Sequence, residues 1–233
     1  HTLPKFGIEV TFIDDPDDLE AWRAAVRPNT KAFFAESVAN PRNHVLDIRA
    51  VADVAHQSGV PLIVDNTVTT PYLLRPLEHG ADVVVHSATK YLGGHGTVIA
   101  GVVVDGGSFD FSAHPERFPD FVEPDPSYHG LQYWPALGPG AYAAKLRVQL
   151  LRDVGPAISP FSSFLLLQGI ETLSLRMERH TANAKAVAQW LADHDQVEVV
   201  HYAGLPSSPW YERAQKYLPH GPGAIVTFEL AGG

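Results

Sequence analysis

The stretch VVVHSATK, residues 83–90, places three valines directly before a histidine, a serine, an alanine, a threonine and a lysine. A short run of β-branched apolar residues is typical of a buried strand. The polar side chains then follow at the point where that strand ends. In open α/β sheets, ligands bind outside the carboxyl ends of the parallel strands. The stretch therefore predicts both a strand and a candidate binding edge.

Two earlier stretches have the same design. The run AFFA (32–35) leads into ESVANP (36–41), and LIV (62–64) leads into DNT (65–67). Helical patterns alternate with these runs, most clearly over residues 47–58, where apolar side chains recur on one face. Strands that alternate with helices favour a mainly parallel sheet covered on both faces. The predicted fold class is α/β.

Weaker patterns organise the remainder of the chain. Further strands are expected over residues 8–13, 98–104, 197–201 and 224–230. Further helices are expected over 139–154 and 160–194, the latter with a break at Gly169. Residues 106–137 are rich in proline, glycine, aspartate and aromatic residues and have no sustained period. A loop of this length is usually functional or disordered, and its aromatic content favours ordered packing.

These patterns predict two domains. Residues 1–157 would form a larger domain built on the parallel sheet. Residues 158–233 would supply linking helices and the beginning of a smaller α+β domain. The sequence starts with His1 rather than methionine and ends in a strand-like pattern, so we expect it to be part of a longer chain.

Composition excludes several classes of function. The net charge is −9, from 26 acidic residues against 17 lysines and arginines, which argues against nucleic-acid or anionic-membrane binding. No apolar run reaches the ~18–20 residues that a membrane span needs. The 12 histidines show no metal-ligand spacing, so no metal site is predicted. Cysteine is absent, which excludes disulfides and thiol chemistry and fits the predicted cytoplasmic location.

The residue types at the three strand ends indicate a particular chemistry. Ser87 and Thr89 offer hydroxyls and neighbouring backbone N–H groups that suit a phosphate. Asp65 ends a buried strand, where its charge calls for a cationic partner. Lys90 offers an amine that can form an imine. A lysine, an aspartate facing a ring nitrogen and a phosphate cradle together predict a pyridoxal 5′-phosphate (PLP) site.

Simpler interpretations exist for each residue alone. A lysine after a strand is usually solvated, and an aspartate there is more often a helix cap or a turn former. The glycines of GGHG (93–96) do not match G-x-G-x-x-G, so a dinucleotide site has weak support. A nucleotide-binding domain with a phosphate at residues 87–89 would leave the lysine and the aspartate at adjacent strand ends unexplained.

The motifs VDNT (64–67) and SATKYLGG (87–94) resemble those of the Cys/Met-metabolism PLP enzymes, a fold-type I family with an aspartate-aminotransferase-like large domain. The likeness extends along most of the chain. It implies that Lys90 binds the cofactor covalently and moves protons, that Asp65 pairs with the pyridine nitrogen, and that Ser87 and Thr89 bind the phosphate. It also implies that Asn40, within ESVANP, lies near the cofactor's 3′-oxygen, with Glu36 in support, and that the enzyme is a homodimer or homotetramer with shared sites.

Within that family, three segments are similar to the O-acetylhomoserine sulfhydrylases. They are GGHG (93–96) followed by GVVVDGG (101–107), the insertion FPDFVEPDPSYHG (118–130), and QGIETLSLRMERH (168–180). The implied reaction joins O-acetylhomoserine with sulfide or methanethiol to give homocysteine or methionine plus acetate. The alternatives are another reaction of the family, such as cystathionine γ-synthesis or a γ-lyase reaction, and a non-catalytic binding domain that has kept the fold.

The sequence departs from the family pattern through absences. The family's Gly-Met phosphate loop, its ring-stacking tyrosine and its Tyr-x-Arg pair belong before His1, and its substrate-carboxylate arginine belongs after Gly233. We therefore expect these 233 residues alone to be inactive.

Overall fold

A computed structural model describes residues 2–232 and shows an α/β architecture around a four-stranded sheet. The strands of this part of the chain are β1 (Phe33–Glu36), β2 (Val38–Ala39), β3 (His44–Val45), β4 (Leu62–Asp65), β5 (Val83–Ser87), β6 (Gly101–Asp105), β7 (Val197–His201) and β8 (Thr227–Leu230). Its α-helices are α1 (Leu19–Ala24), α2 (Ile48–Gln57), α3 (Thr70–Leu73), α4 (Pro119–Val122), α5 (Tyr133–Leu137), α6 (Ala141–Lys145), α7 (Pro160–Glu171), α8 (Leu173–Ala192) and α9 (Tyr211–Tyr217).

The central sheet has the strand order β1-β4-β5-β6 and is mixed but mostly parallel. Strand β4 pairs in parallel with both β1 and β5, whereas β6 runs antiparallel to β5. The register places Asp65 beside Glu36 on one side and Val85 on the other. The carboxyl ends of three neighbouring strands therefore meet at one edge, as the sequence predicts.

Helix α2 shows why the local sequence folds as expected. The Asp47 side chain caps its first turn by accepting from the backbone N–H of Ala50 at 3.3 Å. The helix buries one apolar stripe that includes Ile48, Val51 and Ala55. These side chains join the main hydrophobic core, so burial of one face holds the helix in place.

Two expectations about local structure are wrong. Residues 8–13 form no strand, and Ile8, Val10 and Phe12 are exposed. Alternating apolar residues form a strand only when a neighbour supplies hydrogen bonds, and among residues 2–232 none pairs with this segment. The break between α7 and α8 falls at Thr172 rather than Gly169, which lies buried inside α7.

The long irregular loop is ordered by its aromatic residues, as expected. Short helical turns bring together a second hydrophobic cluster, which contains Phe109, Phe111, Phe118, Phe121 and Tyr133. Phe111 and Phe121 stack with ring centroids 4.0 Å apart. Asp125 accepts hydrogen bonds from the Tyr133 hydroxyl at 2.8 Å and from Gln149 at 2.6 Å, which tie the loop to the following helical segment.

The C-terminal part packs helix α8 against the antiparallel pair β7 and β8. It is tied to the first part by hydrogen bonds from the Tyr217 hydroxyl to Asp47 at 2.6 Å and from the Asn43 side chain to the backbone oxygen of His201 at 2.8 Å. The domain boundary between residues 157 and 158 stays a prediction. No helix among residues 2–232 combines the length and the apolar character that a membrane crossing requires.

Asp82 fixes the amino-terminal ends of β4 and β5. Its carboxylate accepts from the backbone N–H of Leu62 at 2.8 Å, from the Ser108 hydroxyl at 2.9 Å and from His56 Nε2 at 2.8 Å. The hydrogen bond to Asp82 raises the pKa of His56 above its ordinary value, although partial burial opposes the shift. A buried carboxylate that has three partners is stable there.

We expect the contribution of His56 to stability to fall as the pH rises. Because the folded protein holds the proton more tightly than the unfolded chain does, the contribution is complete below about pH 6.5, the unfolded pKa, and is lost as the pH passes through the folded pKa. The difference in thermal midpoint between the wild type and His56→Gln should therefore shrink between about pH 6 and pH 9. The control is His129→Asn, at an exposed histidine with no side-chain hydrogen bond to another described residue. A constant His56→Gln difference across this range would contradict the expectation.

Candidate active site

A cavity of about 420 Å³ opens at the carboxyl edge of the central sheet. Its walls include Asn40, Thr67, Lys90, Tyr91, Arg176 and His180. Two of these, Asn40 and Lys90, are residues that the sequence nominates, and they come from segments that follow different strands. Arg176 and His180 reach the cavity from helix α8.

Thr67 connects the nominated residues with one another. Its backbone N–H and its hydroxyl donate to one carboxylate oxygen of Asp65, at 2.9 and 2.5 Å. The same hydroxyl accepts from the backbone N–H of Ser87 at 2.7 Å. Thr67 also lines the cavity together with Lys90. Its side chain therefore contacts both Asp65 and Ser87 and faces the same cavity as Lys90.

Lys90 presents a free amine to the cavity. Its backbone is held in a turn, because its N–H donates to the oxygen of Ser87 at 3.1 Å and its oxygen accepts from Gly94 at 2.8 Å. Within residues 2–232, no carboxylate lies within ion-pair distance of its Nζ atom. An exposed amine that has no ion-pair partner is available for a ligand.

Asp65 is half-buried, and its hydrogen bonds come from Thr67. The sequence predicts a cationic partner for this carboxylate, yet none lies within ion-pair distance in the described chain. A partly buried carboxylate without a counter-charge is costly. The protonated ring nitrogen of PLP would supply that charge, so Asp65 fits the predicted cofactor.

The two hydroxyls expected to hold a phosphate differ in availability. Ser87 Oγ makes no hydrogen bond to another described residue, although its backbone N–H is used by Thr67. Thr89 Oγ1 accepts from the N–H of Ala100 at 3.0 Å and donates to the oxygen of Ala100 at 3.3 Å. The Thr89 hydroxyl would have to turn away from that carbonyl in order to donate to a phosphate.

Glu36 is the last residue of β1, and Asn40 follows four residues later on the same edge. Partial burial, together with the negative charge of nearby Asp65, raises the pKa of Glu36, and a hydrogen bond from the backbone N–H of Asn40 opposes the rise. Glu36 thus contacts the backbone of Asn40, which is in keeping with the supporting role that the sequence predicts for it.

Asn66, which follows β4, and His86, within β5, are both buried. Asn66 is fully buried, and its amide donates to the carbonyl oxygens of Thr70 at 3.1 Å and Leu74 at 2.8 Å, which fixes the turn after Asp65. Burial lowers the pKa of His86, although the neighbouring Asp65 charge opposes this. His86 is therefore neutral at physiological pH.

Sequence reasoning missed three residues of the site. Thr67 belongs to the quoted DNT motif but received no role, although a hydroxyl two residues after an aspartate commonly bonds to it. Arg176 and His180 lie in the segment 168–180, whose sequence indicates the subfamily but no role for either side chain. Their approach to Lys90 depends on tertiary packing, for which the sequence carries no local signal.

Comparison with known proteins assigns the fold and the family. The sequence model of one protein family, the Cys/Met metabolism PLP-dependent enzymes, matches residues 1–233. The chain belongs to that family. This membership confirms the family resemblance. It also agrees with the predicted cofactor, because the family is one of PLP-dependent enzymes.

Similar members of the family are named as sulfhydrylases or as homocysteine synthases. The chain is 53% identical, over 235 residues, to the O-acetyl-L-homoserine sulfhydrylase of Corynebacterium glutamicum. The aligned region covers 100% of this chain and 54% of that protein. It is 52% identical to the homocysteine synthase of Schizosaccharomyces pombe, with the same coverage. The chain thus spans about half the length of the curated relatives it matches.

Solved structures of the family agree with the architecture. A protein of Campylobacter jejuni assigned as an O-acetylhomoserine (thiol)-lyase, and solved with N′-pyridoxyl-lysine-5′-monophosphate, superposes with a TM-score of 0.93 at 37% identity, over 99% of this chain and 57% of that one. The O-acetylhomoserine sulfhydrylase of Wolinella succinogenes gives 0.84 at 39% identity, over 99% of this chain and 61% of that one. The predicted α/β fold of fold-type I is confirmed.

Replacing Thr67 by valine should destabilise the site and the fold together. The substitution leaves the Ser87 N–H without its acceptor and takes one donor from Asp65, which we expect to cost about 1–3 kcal/mol. Thr67→Ser keeps the hydroxyl, so its free energy of unfolding should fall much less. Denaturant unfolding of the two variants in parallel measures the difference, and equal stabilities would show that the hydroxyl does not link the two strand ends.

Proposed function

We propose that the full-length protein is an O-acetyl-L-homoserine sulfhydrylase. It would convert O-acetylhomoserine and sulfide, or methanethiol, into homocysteine, or methionine, and acetate. The observation that carries the proposal is that the unpaired amine of Lys90 shares a cavity with Thr67, which holds the uncompensated carboxylate of Asp65. The names of the similar relatives favour this reaction over the other reactions of the family.

Five residues would bind the cofactor. Lys90 would bind PLP covalently, Asp65 would keep a proton on its ring nitrogen, Ser87 and Thr89 would bind its phosphate, and Asn40 would lie near its 3′-oxygen. When bound, PLP withdraws electrons from the α-carbon of an amino-acid substrate and so makes loss of the α-proton feasible. Two hydrogen bonds from Thr67 would hold the Asp65 carboxylate in place for this role.

Lys90 would also move the protons that the reaction requires. Replacement at the γ-carbon requires loss of the α-proton, a proton shift at the β-carbon, departure of acetate and addition of the sulfur nucleophile. The Nζ atom of Lys90 is the amine in the cavity, and it has no competing carboxylate within ion-pair distance in residues 2–232. It is therefore free to act as general base and then as general acid.

The assembly and the location of the full-length protein follow from the same proposal. We infer a homodimer or homotetramer in which subunits share active sites, and a cytoplasmic enzyme that uses small-molecule substrates. The acidic net charge of −9 supports partners of this kind rather than nucleic acid or anionic membranes.

The direct test supplies the full-length protein with O-acetylhomoserine and sulfide. We expect homocysteine and acetate in equal amounts, and we expect Lys90→Ala to lower kcat by at least about a thousandfold because it removes the acid–base group. Borohydride reduction followed by peptide mass spectrometry should locate a pyridoxyl group on Lys90.

The matched control is Lys185→Ala, at an exposed lysine on the same chain, which should leave both measurements unchanged. Formation of cystathionine or a 2-oxo acid in place of homocysteine would replace the proposed reaction with another of the same family. Failure of the wild type to take up PLP would favour a non-catalytic binding domain.

Asp65→Asn tests the role of the carboxylate separately. The amide preserves shape but cannot hold a proton on the ring nitrogen by charge, so we expect kcat to fall by about a hundredfold or more. Exchange of the substrate α-proton with deuterated solvent should slow in parallel, whereas the exposed Asp195→Asn should change neither rate. An Asp65→Asn enzyme with wild-type exchange would remove this residue from the proposed mechanism.

A further inference from the structure

The turn that carries Lys90 lies in backbone contact with helix α7. A Cβ atom on Gly169 would clash with the carbonyl oxygen of Gly93 and would lie 2.8 Å from that of Leu92. A Cβ atom on Gly93 would lie 2.9 Å from the oxygen of Ala88. The missing side chain at Gly169 therefore allows α7 to contact the backbone of the turn, and the missing side chain at Gly93 allows the turn to close on Ala88.

Arg176 fills the remaining space on the other side of the turn. A Cβ atom on Gly94, which has a φ of +74°, would meet the guanidinium carbon of Arg176 at 2.5 Å. The absence of a side chain at Gly94 lets the guanidinium lie flat against the turn four residues after Lys90.

The hydrogen bonds of Arg176 join the two elements. Its Nη2 atom donates to the oxygen of Gly169 at 2.7 Å and, more weakly, to the oxygen of Leu92 at 3.5 Å, while Nε donates to the Thr172 hydroxyl at 3.2 Å. Gly169 lies in the last turn of α7, where backbone oxygens lack helical partners and attract cations. One side chain therefore bridges the end of α7 and the turn after Lys90.

The charge of Arg176 is held without compensation. Among residues 2–232, no carboxylate lies within ion-pair distance of it, and its Nη1 atom is buried without a hydrogen-bond partner. Burial correspondingly lowers the pKa of Arg176. A partly buried guanidinium without a counter-charge is costly, so its hydrogen bonds to the end of α7 and to the turn are what hold it there.

We propose that Arg176 is a positioning residue that fixes the Lys90 turn against the end of α7 and so aims the lysine amine into the cavity. The inference rests on the proposed role of Lys90 as the residue that binds PLP. The alternative is that Arg176 only stabilises the end of α7 through contacts within residues 169–176. In that case its removal would leave the mobility of the Lys90 turn unchanged.

The test uses the full-length protein with Arg176→Met, Arg176→Lys and, as the matched control, Arg179→Met, which removes an exposed arginine three residues along the same helix. Amide hydrogen exchange is measured on the cofactor-free protein. The rate at which borohydride fixes a pyridoxyl group on Lys90 is then measured after PLP is added.

In Arg176→Met we expect exchange over residues 88–94 to rise by about fivefold or more, as the loss of one net hydrogen bond would produce. Incorporation at Lys90 should slow by a similar factor. Arg176→Lys, which can still reach one carbonyl oxygen, should lie between Arg176→Met and the wild type in both measurements, and Arg179→Met should match the wild type.

Unchanged hydrogen exchange over residues 88–94 in Arg176→Met would overturn the inference. An equal rise in exchange across every segment of the chain would also overturn it, because that result indicates general destabilisation. If Arg176→Met does not fold, Arg176→Lys decides, because wild-type behaviour in both measurements would exclude the bridge. A wild type that never incorporates a pyridoxyl group refutes the proposed function instead, while the exchange data still judge the role of Arg176.

Discussion

The register between β4 and β5 is the constraint on which the site depends, and hydrogen bonds lock it at both ends. At the amino ends, Asp82 exchanges two hydrogen bonds with the backbone of Leu62, at 2.9 and 2.8 Å. At the carboxyl ends, the backbone N–H of Ser87 donates to the Thr67 hydroxyl at 2.7 Å. A slip of one residue would turn every side chain of a strand to the opposite face. It would also separate Asp65 from the wall that carries Lys90.

Charges at the two edges of this sheet are treated differently. At the amino edge the carboxylate of Asp82 has three partners, and elsewhere Asp17 pairs with Arg213 at 2.5 Å. At the carboxyl edge, Asp65, Lys90 and Arg176 have no oppositely charged partner within residues 2–232. The unpaired charges of Lys90 and Arg176 belong to residues that line the cavity, and Asp65 is held beside it by Thr67. PLP, which carries a phosphate and a basic ring nitrogen, has complementary charges.

The sequence predicts the parts of the site that depend on local patterns. Strand runs that end in DNT and HSATK place Asp65 and Lys90 on one edge, because parallel strands in one sheet end together. The predicted strand over residues 8–13 fails because strand formation depends on a partner that alternation alone does not reveal. Arg176 was missed for a related reason, since its 84-residue separation from Leu92 is bridged only by packing of α7 on the turn.

The cavity also crosses the boundary predicted between residues 157 and 158. Asn40 and Lys90 line it from one side of that boundary, and His180 and Ile225 from the other. The two sides are also joined by hydrogen bonds of Tyr217 with Asp47 and of Asn43 with the backbone of His201. A movement of the C-terminal part relative to the sheet would displace His180 and Ile225 relative to Asn40 and Lys90 across the cavity. Because Arg176 belongs to that part and contacts the lysine turn, the same movement would reach Lys90.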